Sequence, residues 1–196
     1  MTDLVERTRL ALQRSGPESS DFDLNPGTVL AESRKLRPAA VLALIDASDR
    51  TLILTKRSSA LKHHPGQIAF PGGKQDEDDA SIIAAAMREA HEEIGLPQDA
   101  AEVLGTLPSH ETVTGFVVTP VIAILTRPFD VVPEREEVDE IFHVPLDHVL
   151  NPANYTIEAR MWRGQMRRYF VVPYGPYYIW GATARMLRAW TDRLTN

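Results

Sequence analysis

The chain has 196 residues, a net charge of −6 and no long basic run, which argues against a nucleic-acid backbone as its partner. It contains no cysteine, so disulfides, thiol catalysis and cysteine metal centres are excluded. The first residues lack the apolar core of a secretion signal, and no apolar stretch is long enough to cross a membrane, so a cytoplasmic protein without a membrane partner is expected.

Residues 2–14 form an amphipathic helix, and Ser15 to Pro26 a polar loop rich in Gly, Pro, Ser and Asp. Pro38–Asp46 and Thr51–Arg57 read as two strands of a hairpin that turns at Ala47-Ser48-Asp49-Arg50. The second strand runs from apolar residues into charge, which places Lys56, Arg57 and Lys62 beside Phe70-Pro71-Gly72-Gly73. That stiff turn presents backbone free of side chains, which offers carbonyls to a metal or N–H groups to a phosphate. His63 and His64 precede Pro65-Gly66 in a loop, where either suits a phosphate contact or a proton transfer.

A helix follows. Ile83, Met87, Ala90 and Ile94 recur at three to four residues and make an apolar stripe. Asp78 or Asp79 is the expected N-cap, and Gly95 followed by Pro97 is a stop signal. On this helix Glu89, Glu92 and Glu93 stand at i, i+3 and i+4, neighbours on one face with Cβ atoms roughly 5–6 Å apart. Carboxylates so crowded repel unless a cation or a proton intervenes. Hard divalent ions take oxygen ligands and hold polyphosphates, so the segment suits a metal held against a phosphate.

Ala101–Leu107 and Val117–Leu125 are the next strands, with a polar loop, Ser109 to Gly115, between them. Glu111 in that loop is a candidate ligand. An acidic run, Pro133 to Glu140, leads into a strand at Ile141-Phe142-His143-Val144-Pro145-Leu146. Strands at Tyr155–Trp162 and Arg167–Pro173 precede a helix from Tyr178 to Leu194, with Ile179, Ala182, Met186, Leu187 and Trp190 as its core stripe. Tyr174, Tyr177 and Trp180 are able to stack an adenine, although burying core surface is the commoner task of such residues. These elements describe an α/β or α+β domain.

Residues Gly73 to Leu96 resemble a Nudix box: Gly, five residues, Glu, seven residues, Arg-Glu-hydrophobic-x-Glu-Glu-x-Gly-hydrophobic. Arg88, Glu89, Ala90, Glu92, Glu93, Gly95 and Leu96 match. Asp79 stands where the pattern has Glu, and eight residues rather than seven separate it from Arg88, which makes Asp79 a cap or structural acid rather than a leading metal ligand. The resemblance implies the Nudix fold, a mixed β-sheet sandwiched between α-helices, in one domain over 1–196 with a core of about 36–196 and residues 1–30 as an extension. It implies Mg²⁺ or Mn²⁺ held by Glu89, Glu92, Glu93 and a Gly72 or Gly73 carbonyl. It also implies a further glutamate from a distant loop, for which Glu137 is the choice and Glu134 the reserve. Glu93, Glu89 and Glu137 then compete to be the general base.

Immediately upstream, Ile53-Leu54-Thr55-Lys56-Arg57-Ser58, Lys62, Gly66 and Phe70-Pro71-Gly72-Gly73 resemble the signature of the coenzyme A diphosphatase branch. Lys62 stands where that pattern has Arg, a point charge in place of a planar fork. This resemblance implies a small-molecule substrate, coenzyme A or an acyl derivative, cleaved to 3′,5′-ADP and a 4′-phosphopantetheine, with Arg57, Lys62, Lys56, Gly72 and Gly73 in substrate binding. The alternatives are a Nudix pyrophosphatase for ADP-ribose, NADH or related diphosphates, and a non-catalytic sensing module on the same fold. A homodimer through the terminal helices is a further expectation.

Overall fold

The computed structural model describes residues 2–30, 33–162 and 164–195. Helix α1 (Thr2–Gln13) is followed by a two-residue strand, β1 (Ser19–Ser20), inside the segment expected to be a plain loop. The hairpin forms as β2 (Arg37–Asp46) and β3 (Thr51–Arg57), but the two strands pair only at Ile45↔Leu52 and Asp46↔Thr51 before diverging. Short strands β4 (Ile68–Ala69) and β5 (Gly72–Lys74) lead to helix α2 (Ile82–Ile94). Then come β6 (Ala101–Thr106), β7 (His110–Glu111), β8 (Phe116–Leu125), β9 (Val138–Pro145) and a short helix, α3 (Leu146–Val149). The hairpin of β10 (Thr156–Trp162) and β11 (Gln165–Val171) precedes helix α4 (Gly181–Thr195).

The centre of the main sheet is a parallel pair, β2 beside β8, in register from Arg37↔Phe116 to Ile45↔Ile124. The gap left where β2 leaves β3 is filled by β5, antiparallel to Ala39–Val41. β3 pairs instead with β9 and β4, and β8 also carries β6 and β7. Alternation along β2 divides two cores, because successive strand residues point to opposite faces. Ala40, Leu42 and Leu44 pack with Ala85, Ala86, Ala90 and Ile94 of α2. Ala39, Ala43 and Ile45 pack with Ala184, Leu187 and Trp190 of α4. The result is the expected mixed sheet between helices. No helix among the described residues is long and apolar enough to cross a membrane.

The N-terminal segment is strapped to this frame by side chains rather than by apolar pattern. β1 runs parallel to β7, and His110, fully buried, bonds Ser19 Oγ at 2.9 Å and Asp21 at 3.2 Å. A buried imidazole needs such partners. The loop expected at Ser109–Gly115 therefore contains a strand, and Glu111 is engaged by Arg34 at that edge, away from the role of a ligand expected for it.

At the start of α2 the cap is Ser81, whose hydroxyl accepts the Ala84 N–H at 3.1 Å, and not Asp78 or Asp79. The extra residue in the loop leaves both aspartates outside the cap position. At the other end Gly95 adopts φ 74° and donates back into the last turn, as the Gly-Leu-Pro stop implies. The buried face also differs from the expected stripe: it runs through Ala85, Ala86, Ala90, Glu93 and Ile94, with Ile83 and Met87 only half-buried. Replacing Ser81 by Ala is expected to cost about 1 kcal/mol and lower the thermal midpoint by a few degrees, whereas Asp78→Ala, at an exposed position, stays within about 0.5 kcal/mol of wild type. Thermal denaturation of both variants followed by circular dichroism checks this.

Candidate metal and phosphate site

The glycine loop and the carboxylate helix meet through two contacts. The Gly72 N–H donates to Glu93 Oε2 at 3.2 Å, and Glu93 is only 4 % exposed. Gly73 lies directly against Glu89, since a Cβ at Gly73 would fall 2.5 Å from that carboxylate. Gly72 is needed for a different reason: its φ is +151°, and a Cβ would stand 2.4 Å from the Ala40 carbonyl oxygen. One glycine is demanded by the neighbouring strand and the other by the neighbouring acid.

Electrostatics follow from this crowding. Burial pushes Glu93 up to about 8, Glu89 and Glu137 add repulsion, and the Gly72 N–H and Arg57 pull the other way. Glu89 is also raised, first by burial and then by Glu92 and Glu137, against the opposing pull of Arg88. Glu89, Glu93, Glu137 and Arg57 therefore share one electrostatic neighbourhood.

The exposed Glu137 reaches it through backbone. A helix leaves its last carbonyls without intrahelical partners, and here the Ile94 and Glu93 carbonyls accept N–H groups from Val132 (3.1 Å) and Glu134 (3.0 Å). The Glu137 N–H then donates to the Glu134 carbonyl, and its own carbonyl accepts the Ser58 N–H at 2.8 Å. The acidic loop is thus pinned between the end of α2 and the end of β3. Glu134, the reserve candidate, serves as the backbone anchor.

Arg88 organises the entrance to α2. Its Nε and Nη2 hold Asp79 at 3.0 and 2.9 Å, Nη1 reaches Glu92 at 2.9 Å, and Nη2 also donates to the Lys74 carbonyl at 3.2 Å. Asp79 additionally accepts the Asp76 N–H at 2.8 Å, and Arg88 holds its carboxyl below the ordinary range. Asp79 is therefore a brace for the loop. Glu92 is exposed and turned to Arg88 rather than to Gly73.

The three basic candidates separate. Leu52 and Leu54 belong to the α4-side core and Ile53 to the α2-side core, so the pleat sends Arg57 to the carboxylate face and Lys56 to the other. The expectation that both flank the glycine loop is corrected by this period of two. Lys56 instead lines a cavity of about 290 Å³ with Glu140, Tyr177, Tyr178 and Trp180. Tyr177 is stacked on Phe142, with centroids 3.6 Å apart. Lys62 and His63 are exposed on the intervening loop. His64, at φ 54°, is held below its ordinary range by partial burial and by the charge of Arg57.

The donor set suits a hard cation. Carboxylates of Glu89 and Glu93 beside bare backbone at Gly72-Gly73 are oxygen ligands, and their repulsion is what a cation would relieve. Among the described residues, however, no three carboxylate or imidazole groups already stand in a metal-holding arrangement; Glu92 and Glu89 both ion-pair with Arg88, at 2.9 and 3.1 Å, and would first have to turn from it.

Comparison with known proteins agrees with this fold. Residues 35–163 match the model of the NUDIX domain, and the chain belongs to the Nudix hydrolase family. It is 44 % identical over 153 residues to the uncharacterized Nudix hydrolase NudL of Enterobacter sp. (strain 638), covering 78 % of this chain and 80 % of that one. It is 40 % identical over 185 residues to NudL of Cronobacter sakazakii, covering 94 % and 95 %. The crystal structure of a MutT/nudix family protein from Enterococcus faecalis superposes with a TM-score of 0.56 at 14 % identity, over 97 % of this chain and 73 % of that one; this likeness shows the fold alone. The protein is thus a Nudix-type hydrolase for a nucleotide-like diphosphate, and the Nudix box generally implies dependence on a divalent metal.

Glu93 makes stability fall as pH rises. Its folded-state pKa, about 8, lies above its ordinary 4.5, so the folded protein binds the extra proton between those values and loses stability as that proton leaves, by at most about 5 kcal/mol. In chelator, the urea midpoint of the wild type is expected to fall from pH 5 to pH 9, and that of Glu93→Gln to fall much less, leaving the variant the more stable of the two at pH 9. Parallel pH profiles for the two proteins would contradict the assignment.

Proposed function

We propose that this protein hydrolyses the diphosphate linkage of coenzyme A or an acyl-CoA, giving 3′,5′-ADP and a 4′-phosphopantetheine, with Mg²⁺ or Mn²⁺. The observation that carries the chemical part is the buried Glu93 joined to Gly72, with Glu89 against Gly73. The comparisons support the broader class, Nudix hydrolysis of a nucleotide-type diphosphate, and favour that breadth over any one substrate. The step to coenzyme A rests on residues 53 to 73 and their spacing. ADP-ribose, NADH and related diphosphates fit the same carboxylate site and form the second reading.

In this reading Glu89 and Glu93, with Gly73 backbone and Glu92 once released from Arg88, hold the cation. When bound, it offsets the charge of the diphosphate and acidifies the attacking water. The water oxygen bonds to one phosphorus as the bridging P–O bond breaks, and the second phosphate leaves with the bridging oxygen. A carboxylate takes the water proton. Glu93 is a candidate through its place against the Gly72 N–H, beside the bare backbone of the glycine loop. Glu137 suits it through exposure at the edge of the same neighbourhood, and Glu89 remains the third candidate. Arg57 supplies positive charge to the diphosphate on this face, and Lys62, exposed on the loop after β3, adds a point charge. The whole chain, with residues 1–30 as an extension, serves as one domain, and a cytoplasmic location fits its substrate.

Product analysis by chromatography, with coenzyme A, ADP-ribose and NADH each supplied with Mg²⁺ or Mn²⁺, tests the reading. Release of 3′,5′-ADP from coenzyme A in preference to turnover of the others is expected, with kcat lowered about 10²–10⁴-fold in Glu93→Gln and Glu89→Gln. Preference for ADP-ribose or NADH would keep the chemistry and replace the substrate. No turnover of any would favour the sensing module.

A further inference from the structure

We propose that two copies of this chain pair edge to edge through β10, antiparallel and centred on Ala159. β10 pairs with β11 and, among the described residues, with no other strand, which leaves an open edge along Ile157 to Met161. Open edges are ordinarily blunted by charged side chains, proline, bulges or a covering segment, and the two charges on this edge, Glu158 and Arg160, are of opposite sign. β10 contains no proline, and its register with β11 runs unbroken from Thr156↔Val171 to Trp162↔Gln165. The far edge of the hairpin is closed, because the Asn25 side chain donates to the Arg168 carbonyl at 2.9 Å and accepts its N–H at 2.8 Å.

The sequence of the edge selects a second copy as the occupant. Around Ala159 it reads Ile-Glu-Ala-Arg-Met. A two-fold axis at Ala159 sets Glu158 opposite Arg160 of the second copy, and Arg160 opposite its Glu158. Ile157 then faces Met161, and the small Ala159 faces itself. Directly opposed unlike charges favour pairing and like charges oppose it. Centring the pair on Glu158 or Arg160 instead would set like charges against each other, as would parallel pairing in register. The interface is self-complementary, as a two-fold contact between identical chains requires.

Both charged side chains are ordered in advance on one face. Glu158 accepts the Tyr178 hydroxyl at 2.6 Å, and the Arg160 guanidinium lies 4.2 Å from the Trp180 ring centroid. On the opposite face Ile157 and Met161 are 54 % and 64 % exposed, and pairing gathers them into a continuous stripe. The terminal helices, the site first expected for a dimer, are occupied with each other: Arg7 donates to the Leu194 carbonyl at 3.2 Å, and Arg193 to the Ala11 carbonyl at 3.1 Å.

Two independent measurements on the full chain test the pairing. In light scattering the wild type is expected at twice 21.9 kDa at about 50 μM, the variants Glu158→Arg and Arg160→Glu each as monomers, and an equimolar mixture of the two as dimer again. The second uses Ala159→Cys, which is the sole cysteine in its chain. Opposed antiparallel residues stand about 4.5–5.5 Å apart at Cα, within disulfide reach, so this variant should cross-link on mild oxidation at least about tenfold faster than Gln98→Cys on a remote exposed loop. A monomeric wild type, dimers that survive both charge reversals, or equal cross-linking of the two cysteine variants would overturn the proposal.

Discussion

A buried glutamate held by a glycine N–H is the contact on which the rest of the molecule turns. Glu93 occupies a position on α2 that a helix packed on a sheet would ordinarily give to an apolar residue. Burying a carboxylate there is costly without partners, and the Gly72 N–H supplies one. That hydrogen bond ties the helix to the glycine loop. The loop in turn is fixed on β2 by β5 pairing, where only glycine tolerates the approach to Ala40 and Val41. Helix, loop and central strand are thus locked by a group whose charge works against the fold. Natural proteins accept such a conflict at functional sites.

The same helix recruits the other acid by its far end. Carbonyls that α2 cannot satisfy internally are met by the backbone of residues 132 and 134, which delivers Glu137 to the neighbourhood of Glu89 and Glu93. Distance along the chain is bridged by helix-end hydrogen bonding rather than by side-chain attraction, which would be repulsive here. Arg88 performs the complementary task at the entrance, joining Asp79, the Lys74 carbonyl and Glu92 in one guanidinium. A planar group with five donors is suited to that number of acceptors.

Much of the fold was legible because its periods are regular. The apolar run of β2, the Ala47–Arg50 turn, the Gly95 stop and the apolar stripe of the final helix all carry local chemistry that suits one element. The box carboxylates were legible from spacing, and the acidic loop from resemblance. What was not legible depended on contacts distant in sequence. β1 and β7 exist because His110 reaches Ser19 and Asp21, a tether that no pattern in residues 15–26 announces. Glu93 reads as polar, so its burial was hidden. The cap was available in principle, since Ser81 directly precedes the apolar run, but the neighbouring aspartates offered the same chemistry. Lys56 and Arg57, adjacent on one strand, are separable by its period of two.

The most direct test of the central claim is to locate the cation itself, by anomalous diffraction from crystals soaked in Mn²⁺. The account predicts a manganese peak at the carboxylates of Glu89 and Glu93 beside Gly72-Gly73, with Glu92 drawn away from Arg88. A peak confined to the acidic run at residues 134–140, or none while Glu93 keeps its bond to Gly72, would contradict it.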